Sequence, residues 1–126
     1  MVGKALRSGY ALRPDYHVGL LMRGNRMIAS VRGQVLADSH HTILVDEQDH
    51  ALVVYFPAAD VAWDRLVAID AYTTYCPFKG EASYWARTDD PLTPLAWCYA
   101  TPLAEVAGIA GHIAFYQDDV RITISG

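Results

Sequence analysis

The sequence predicts one mostly-β domain with antiparallel strands and one or two short helices. From Arg26 onward the chain is a series of short β-prone runs broken by turn residues. The runs follow one another too closely for the long crossovers that parallel pairing needs, so hairpins must join them. Only two short stretches suit a helix. At 126 residues the chain fills one core and falls short of two ordinary domains. Hydrophobic residues at 52% and charged residues at 19% are the balance of a folded domain rather than a disordered one.

Residues 1–17 lack strand or helix periodicity and contain Gly3, Gly9 and Pro14. They read as a flexible basic tail, followed by a single domain over 18–126. The first four strands are expected at 27–31, 34–37, 42–46 and 52–56. Gly33, Asp38-Ser39 and the cluster Glu47-Gln48-Asp49-His50 separate them. Pro57 ends the fourth run, and 60–66 suits one short helix with Val61, Arg65 and Leu66 on one side. Strands at 72–75 and 81–87 flank the turn Cys76-Pro77-Phe78-Lys79-Gly80. Asp89-Asp90-Pro91 and Pro94 form a loop before a strand at 95–99. Thr101-Pro102 has the chemistry of a helix start, a capping hydroxyl followed by a proline whose missing N–H costs nothing there. That helix is expected to stop near Gly108 or Gly111. A last hairpin, 113–116 with 120–124 around Gln117-Asp118-Asp119, closes the chain.

The net charge of −4 lacks the cationic footprint of a nucleic-acid binder. The charge is uneven: 1–26 carries Lys4, Arg7, Arg13, Arg23 and Arg26 against Asp15, so the rest is strongly acidic. A basic segment of this kind is usually solvated and sometimes docks. The apolar stretch 18–22 is too short for a signal peptide, and no window approaches a membrane span. The expected location is cytoplasmic, although a basic, acid-poor start also imitates a transit peptide. Two cysteines, Cys76 and Cys98, do not make a disulfide framework.

The best site candidate is the run 73–85, Thr73 through Trp85, around the Cys76–Gly80 turn. Proline disfavours helical geometry at Cys76, and Gly80 tolerates positive φ. The turn therefore presents Cys76 and Lys79 together at a hairpin end, and a nearby ammonium favours a thiolate. Equally, Cys76 can be a small buried hydrophobe and Lys79 a solvated turn residue. If Lys79 is buried it needs a carboxylate, with Glu81 and Asp38 the candidates, or an anionic group on a ligand. In the next strand Glu81, Ser83, Trp85 and Arg87 share one face, which suits a polar pocket wall, and Ala82, Tyr84 and Ala86 share the other. Trp97 and Tyr99 share a face of their own strand. Neighbouring strands would bring Tyr55, Tyr75, Trp85, Trp97 and Tyr99 into an aromatic cage for planar rings or cations, or into an ordinary aromatic core.

Other chemistry finds little support. His40 and His41 point to opposite faces of a strand, and no CxxC or HExxH spacing occurs. No metal, zinc included, and no cofactor is expected. Ser39 beside Asp38 and His40 is not a triad, and no GxSxG elbow is present.

Gly33, Ala37-Asp38-Ser39, Tyr55-Phe56-Pro57 with Asp60-Val61, Thr74 through Tyr84, Ala96-Trp97-Tyr99, and Ile109-Ala110-Gly111 with Ala114-Phe115-Tyr116 occur in this order. The series resembles the domain-of-unknown-function family numbered 427, over about residues 26–124. The resemblance implies a β-tent fold, two antiparallel sheets packed at an angle with a ligand-sized pocket between them. Fold relatives are the Mss4-like proteins, methionine sulfoxide reductase B and the thalidomide-binding domain of cereblon. Many of these hold zinc through paired CxxC motifs that this chain lacks, and cereblon's ligand sits in an aromatic cage. The family also carries a nucleotidyltransferase-type label. That chemistry needs carboxylates for two metals beside a phosphate-positioning loop, whereas Asp89-Asp90 and Asp118-Asp119 fall in solvated turns.

The expectation is thus a small-molecule binding module, with Tyr55, Tyr75, Cys76, Lys79, Gly80, Trp85, Trp97 and Tyr99 at the site. The alternatives are an enzyme using Cys76 or Lys79 there, and a protein-interaction module. A homodimer is compatible with either, and neither nucleic acid nor membrane is an expected partner.

Overall fold

The computed structural model describes residues 8–125. Its composition is 53% strand and 14% helix, in two antiparallel sheets. The strands are β1 (Val18–Arg23), β2 (Arg26–Val31), β3 (Gln34–Ser39), β4 (Thr42–Glu47), β5 (Val53–Pro57), β6 (Leu66–Cys76), β7 (Gly80–Arg87), β8 (Ala96–Cys98), β9 (His112–Phe115) and β10 (Arg121–Ser125). Seven of them form one sheet in the order β1-β4-β5-β9-β8-β7-β6, and the other three a small sheet, β10-β2-β3. Among the described residues no helix is long and apolar enough to cross a membrane.

Local chemistry explains the turns. Arg32 and Gly33 both have positive φ, 50° and 77°, and link β2 to β3 across the pair Val31↔Gln34. That is the backbone of a two-residue type I′ turn, whose twist matches the flanking strands. Between β6 and β7 the loop is Pro77-Phe78-Lys79, closed by Lys79 N–H donating to Cys76 C=O at 3.2 Å. Gly80 follows at φ 115°, a conformation that favours glycine.

Side-chain alternation divides the large sheet into two faces. Val54 and Phe56 of β5, Ala96 and Cys98 of β8, and Ile113 and Phe115 of β9 point towards the small sheet. There they meet Met27, Ala29, Leu36 and Val120 in the closed core. The intervening residues, Tyr55 of β5, Trp97 of β8 and Ala114 of β9, point the other way. With Ile43 and Val45 of β4, Ala82 and Tyr84 of β7, and Tyr99, Val106 and Ile109, they form a second apolar cluster. Tyr55↔Ala114↔Trp97↔Tyr84 is one continuous cross-strand row on that face.

Several sequence expectations need correction. The stretch 60–66 is two 3-10 turns, Ala58–Asp60 and Trp63–Arg65, that end as β6 begins. The Trp63 indole N–H is satisfied by Ala58 C=O at 2.8 Å. The helix expected after Thr101-Pro102 is a 3-10 element, Ala104–Ile109, kinked at Val106 and without a side-chain cap. β9 and β10 are not a hairpin: β9 lies between β5 and β8, while β10 crosses to pair with β2. β1 was not expected as a strand. It pairs along its whole length with β4.

The basic N-terminal tail expected over 1–17 is only partly within the described residues. Residues 1–7 lie outside them, and within 8–17 Gly9, Tyr10 and Tyr16 pack against the domain while 11–15 are exposed. Gly9 N–H donates to Pro77 C=O at 2.7 Å, Tyr10 Oη donates to Phe78 C=O at 2.8 Å, and Tyr16 stacks on Phe78 with ring centroids 3.7 Å apart. The short helix Gly9–Leu12 is capped by Ser8. Aromatic rings separated by non-periodic residues hide this docking from any periodicity test. A side chain at Gly9 would meet the Phe78 ring at 2.6 Å, so close approach requires glycine there. We predict that Gly9→Val releases the segment: chymotryptic cleavage after Tyr16 becomes at least about fivefold faster, since loss of roughly 1–2 kcal/mol of local docking raises the open population by that factor, while the melting temperature stays nearly constant. An unchanged cleavage rate would refute the docking role of Gly9.

Candidate functional site

The open side of the second cluster is a cavity of about 610 Å³. Its floor is the large sheet, through Val45, Glu47, Val53, Tyr55, Tyr84 and Trp97. The β6–β7 loop, with Cys76, Pro77, Phe78 and Lys79, forms one wall, and Tyr16 and Tyr99 complete it. His50 and Tyr116 stand at its more exposed margin.

The charged centre is an ion pair. Lys79, 7% exposed, donates through Nζ to Glu47 Oε1. The other carboxylate oxygen, Oε2, accepts from Tyr16 Oη and faces His50 Nε2 at 3.7 Å. Glu47 ends β4 and Lys79 sits in the β6–β7 loop, so the pair ties together strands far apart in the sheet order. Burial alone would raise the Glu47 carboxyl. The hydrogen bonds from Lys79 and Tyr16, with the Lys79 charge, outweigh it and hold the group below the usual carboxylate range. Tyr16, desolvated and bonded to that carboxylate, is pushed up to about 12 and stays a donor at neutral pH.

The rings are braced from behind. Trp97 Nε1 donates to Tyr55 Oη at 3.1 Å, with the two rings edge-on at 6.3 Å, and Tyr116 packs on Trp97 at 4.8 Å. Tyr84 Oη bonds Thr74 Oγ1 at 2.7 Å. Tyr99 is 7% exposed, and among the described residues its hydroxyl has no hydrogen-bond partner, although it lines the cavity. Desolvation raises both Tyr55 and Tyr99 far above the ordinary phenol value.

Of the residues singled out in the sequence, Tyr55, Cys76, Lys79, Trp97 and Tyr99 meet at this cavity. Three do not. Trp85 lies on the opposite face of β7, against the closed core and Trp63 at 5.4 Å. The register Tyr84↔Trp97 makes Tyr84 the cavity residue, so the wall is the face carrying Ala82 and Tyr84. Tyr75 lies between Thr74, bonded to Tyr84, and Cys76, which lines the cavity; alternation turns it away. Gly80 closes the hairpin and packs beneath 101–103. The partner of Lys79 is Glu47, not Glu81 or Asp38. Asp38 instead takes a two-pronged bond from Arg26. Tyr16 and Glu47 are contributors that sequence reasoning missed, and Phe78 and Tyr84 fall within the candidate run 73–85 without having been assigned to the ligand site. Only Tyr84 carried a usable signal, its place in the alternation.

Cys76 belongs to the cavity cluster and Cys98 to the closed core, so the sheet separates the two thiols, and both are free. Among the described residues no group of three or more His, Cys, Asp or Glu is placed to hold a metal. Asp89, Asp90, Asp118 and Asp119 are exposed, and Ser39 Oγ donates to Asp60 rather than to a histidine.

A family model described as a domain of unknown function, DUF427, matches residues 20–126. No curated protein matches the chain.

The ion pair makes a stability prediction. Lys79→Met leaves a buried carboxylate without its cation and is expected to cost about 3 kcal/mol, or about 10–15 °C in melting temperature for a domain of this size. The double variant Lys79→Met with Glu47→Leu should recover most of that loss, because two apolar groups replace a desolvated pair. A single variant as stable as the parent would show that the pair is not structural. The pH dependence has a fixed sign. Because the Glu47 value is lowered on folding, its stabilisation is complete above the unfolded glutamate value of about 4.3 and is lost as pH falls through the lower folded value. Glu47→Gln should flatten the acid limb of a melting-temperature profile below about pH 4.5.

Proposed function

The chain belongs to the domain-of-unknown-function family DUF427, and we propose that it is a binding module that holds a small molecule in its aromatic cavity. One observation carries the reading. The second cluster leaves a ring-lined space of about 610 Å³, well within the size range of small-molecule sites, and that space contains a nearly buried phenol, Tyr99, with no partner among the described residues. Among the described residues no fully buried side-chain polar atom lacks a partner, so this hydroxyl opens onto the cavity, where water or a ligand group completes its hydrogen bond. An aromatic surface used only as core would close over that hydroxyl. Such a domain needs no cofactor for this role.

The enzyme reading has one observation in its favour, the place of Cys76 in the cavity wall. Against it, the charge of Lys79 is engaged by Glu47, so the lysine is neither a free nucleophile nor a free activator of the thiol.

Two measurements test these readings. A fragment that enters the cavity should change the fluorescence of Trp97 but not of Trp63 or Trp85, which pack on each other elsewhere. The response to a fragment hit should vanish in Trp97→Phe and persist in Trp85→Phe; the reverse pattern would place the ligand elsewhere. Iodoacetamide should label Cys76 no faster in the native protein than after denaturation, and Lys79→Met should leave the native rate unchanged. Native labelling that is faster, and that slows in Lys79→Met, would establish the nucleophile instead.

A further inference from the structure

We propose that the cavity selects uncharged planar ligands that carry hydrogen-bond acceptor atoms, and that it discriminates against anions despite the lysine in its wall. The inference rests on the small-molecule reading above and adds the ligand's class to it.

Charge comes first. The ionisable side chains of the lining besides its phenols and thiol are Glu47, Lys79 and His50. Lys79 and Glu47 neutralise each other, the second Glu47 oxygen is taken by Tyr16, and His50 is an exposed residue at the margin, 3.7 Å from that same oxygen. An anion seeking Lys79 has to displace Glu47 and leave a desolvated carboxylate unpaired, a penalty larger than the bond it would gain. A cation meets the Lys79 ammonium and a carboxylate whose oxygens are both already bonded. Ring faces alone would be left to hold it.

Hydrogen-bond polarity comes second. Tyr55 Oη accepts from Trp97 Nε1, so its own proton is left over. Among the described residues neither that proton nor the Tyr99 hydroxyl has an acceptor. Both side chains are almost fully buried, at 1% and 7% exposure, and each stays protonated. Both residues line the cavity, which therefore offers two hydroxyl protons that suit carbonyl oxygens or ring nitrogens. Shape comes third. Trp97, Tyr84, Tyr116 and Phe78 supply flat walls, against which a planar ring keeps the most contact.

The test uses three probes of one shape: 2-naphthamide, 2-naphthoate and 2-naphthylmethylammonium. Each is titrated into the full-length protein at neutral pH by calorimetry and by NMR chemical-shift mapping. The amide is expected to bind at least tenfold tighter than either charged probe, with shifts at Trp97 and Tyr99. In Tyr99→Phe its affinity should fall about three- to tenfold, the worth of one neutral hydrogen bond. The melting temperature should hold, since that hydroxyl bonds nothing among the described residues. If the carboxylate or the ammonium binds as tightly as the amide, the charge assignment is wrong although the cavity is a small-molecule site. If Tyr99→Phe leaves amide binding unchanged, the acceptor assignment is wrong. Absence of binding by all three overturns the inference. The small-molecule reading falls with it only if a broad fragment panel also leaves the cavity resonances unmoved.

Discussion

The contact between Lys79 and Glu47 organises this molecule. β4 lies next to the edge strand β1, and the β6–β7 hairpin forms the far edge of the same sheet. No backbone ladder joins them. The ion pair spans that gap, and the chain before β1 is fastened over it. Tyr16 closes the remaining carboxylate oxygen and stacks on Phe78, the residue before Lys79, and Tyr10 anchors to the same loop. A desolvated ion pair is weak evidence for stability by itself. Here it fixes geometry: three segments without mutual strand pairing are held at one end of the sheet, and the cavity is the space they leave.

The same pair occupies the cation on which two roles suggested by its neighbours would depend. A lysine beside a cysteine in a hairpin turn reads as an activated nucleophile or as a receptor for an anion. Both roles need a cation without a partner. Glu47 comes from a strand about thirty residues earlier, within a polar cluster that looked like a solvated turn, and nothing local in the sequence ties it to Lys79. Turns supply hydrophilic residues on average, so a carboxylate drawn into the interior by a distant partner cannot be told from one that faces water until the register of the strands is known.

That contrast marks how much was legible. Most strand positions after Arg26 came through, because alternating apolar residues and turn chemistry are local signals; β6 is the exception, starting at Leu66 rather than near Tyr72. The hairpin turn at Arg32-Gly33 and the presentation of Cys76 and Lys79 by one loop were readable for the same reason. Sheet membership was not. β9 and β10 look like a hairpin in sequence and belong to different sheets, because a short connection can turn a corner between layers as easily as it can close a ladder. The choice between Tyr84 and Trp85 failed on the same point. Alternation says that they face apart, but which of the two faces the cavity depends on where β8 and the small sheet lie. The face of Trp85, shared with Glu81 and Ser83, reads as a polar pocket wall, and the closed core takes the indole instead.

A cavity of this size in a small domain needs an account of why it does not collapse, since protein interiors ordinarily pack without voids. The answer lies in how its rings are held. Trp97 is fixed by its bond to Tyr55 and by Tyr116 on its flank; Tyr84 is tied to Thr74; Phe78 is clamped between Tyr16 and Tyr10. Each of these rings is held by a hydrogen bond or an aromatic contact, so swinging inward would break it to gain contact on the other side. Tyr99 alone lacks such a tether among the described residues. With the spare proton of Tyr55, its hydroxyl is free to answer to whatever fills the space, and the proposed selectivity would follow from that asymmetry: braced rings set a flat shape, the neutralised ion pair withholds charge, and the free hydroxyl protons meet an acceptor.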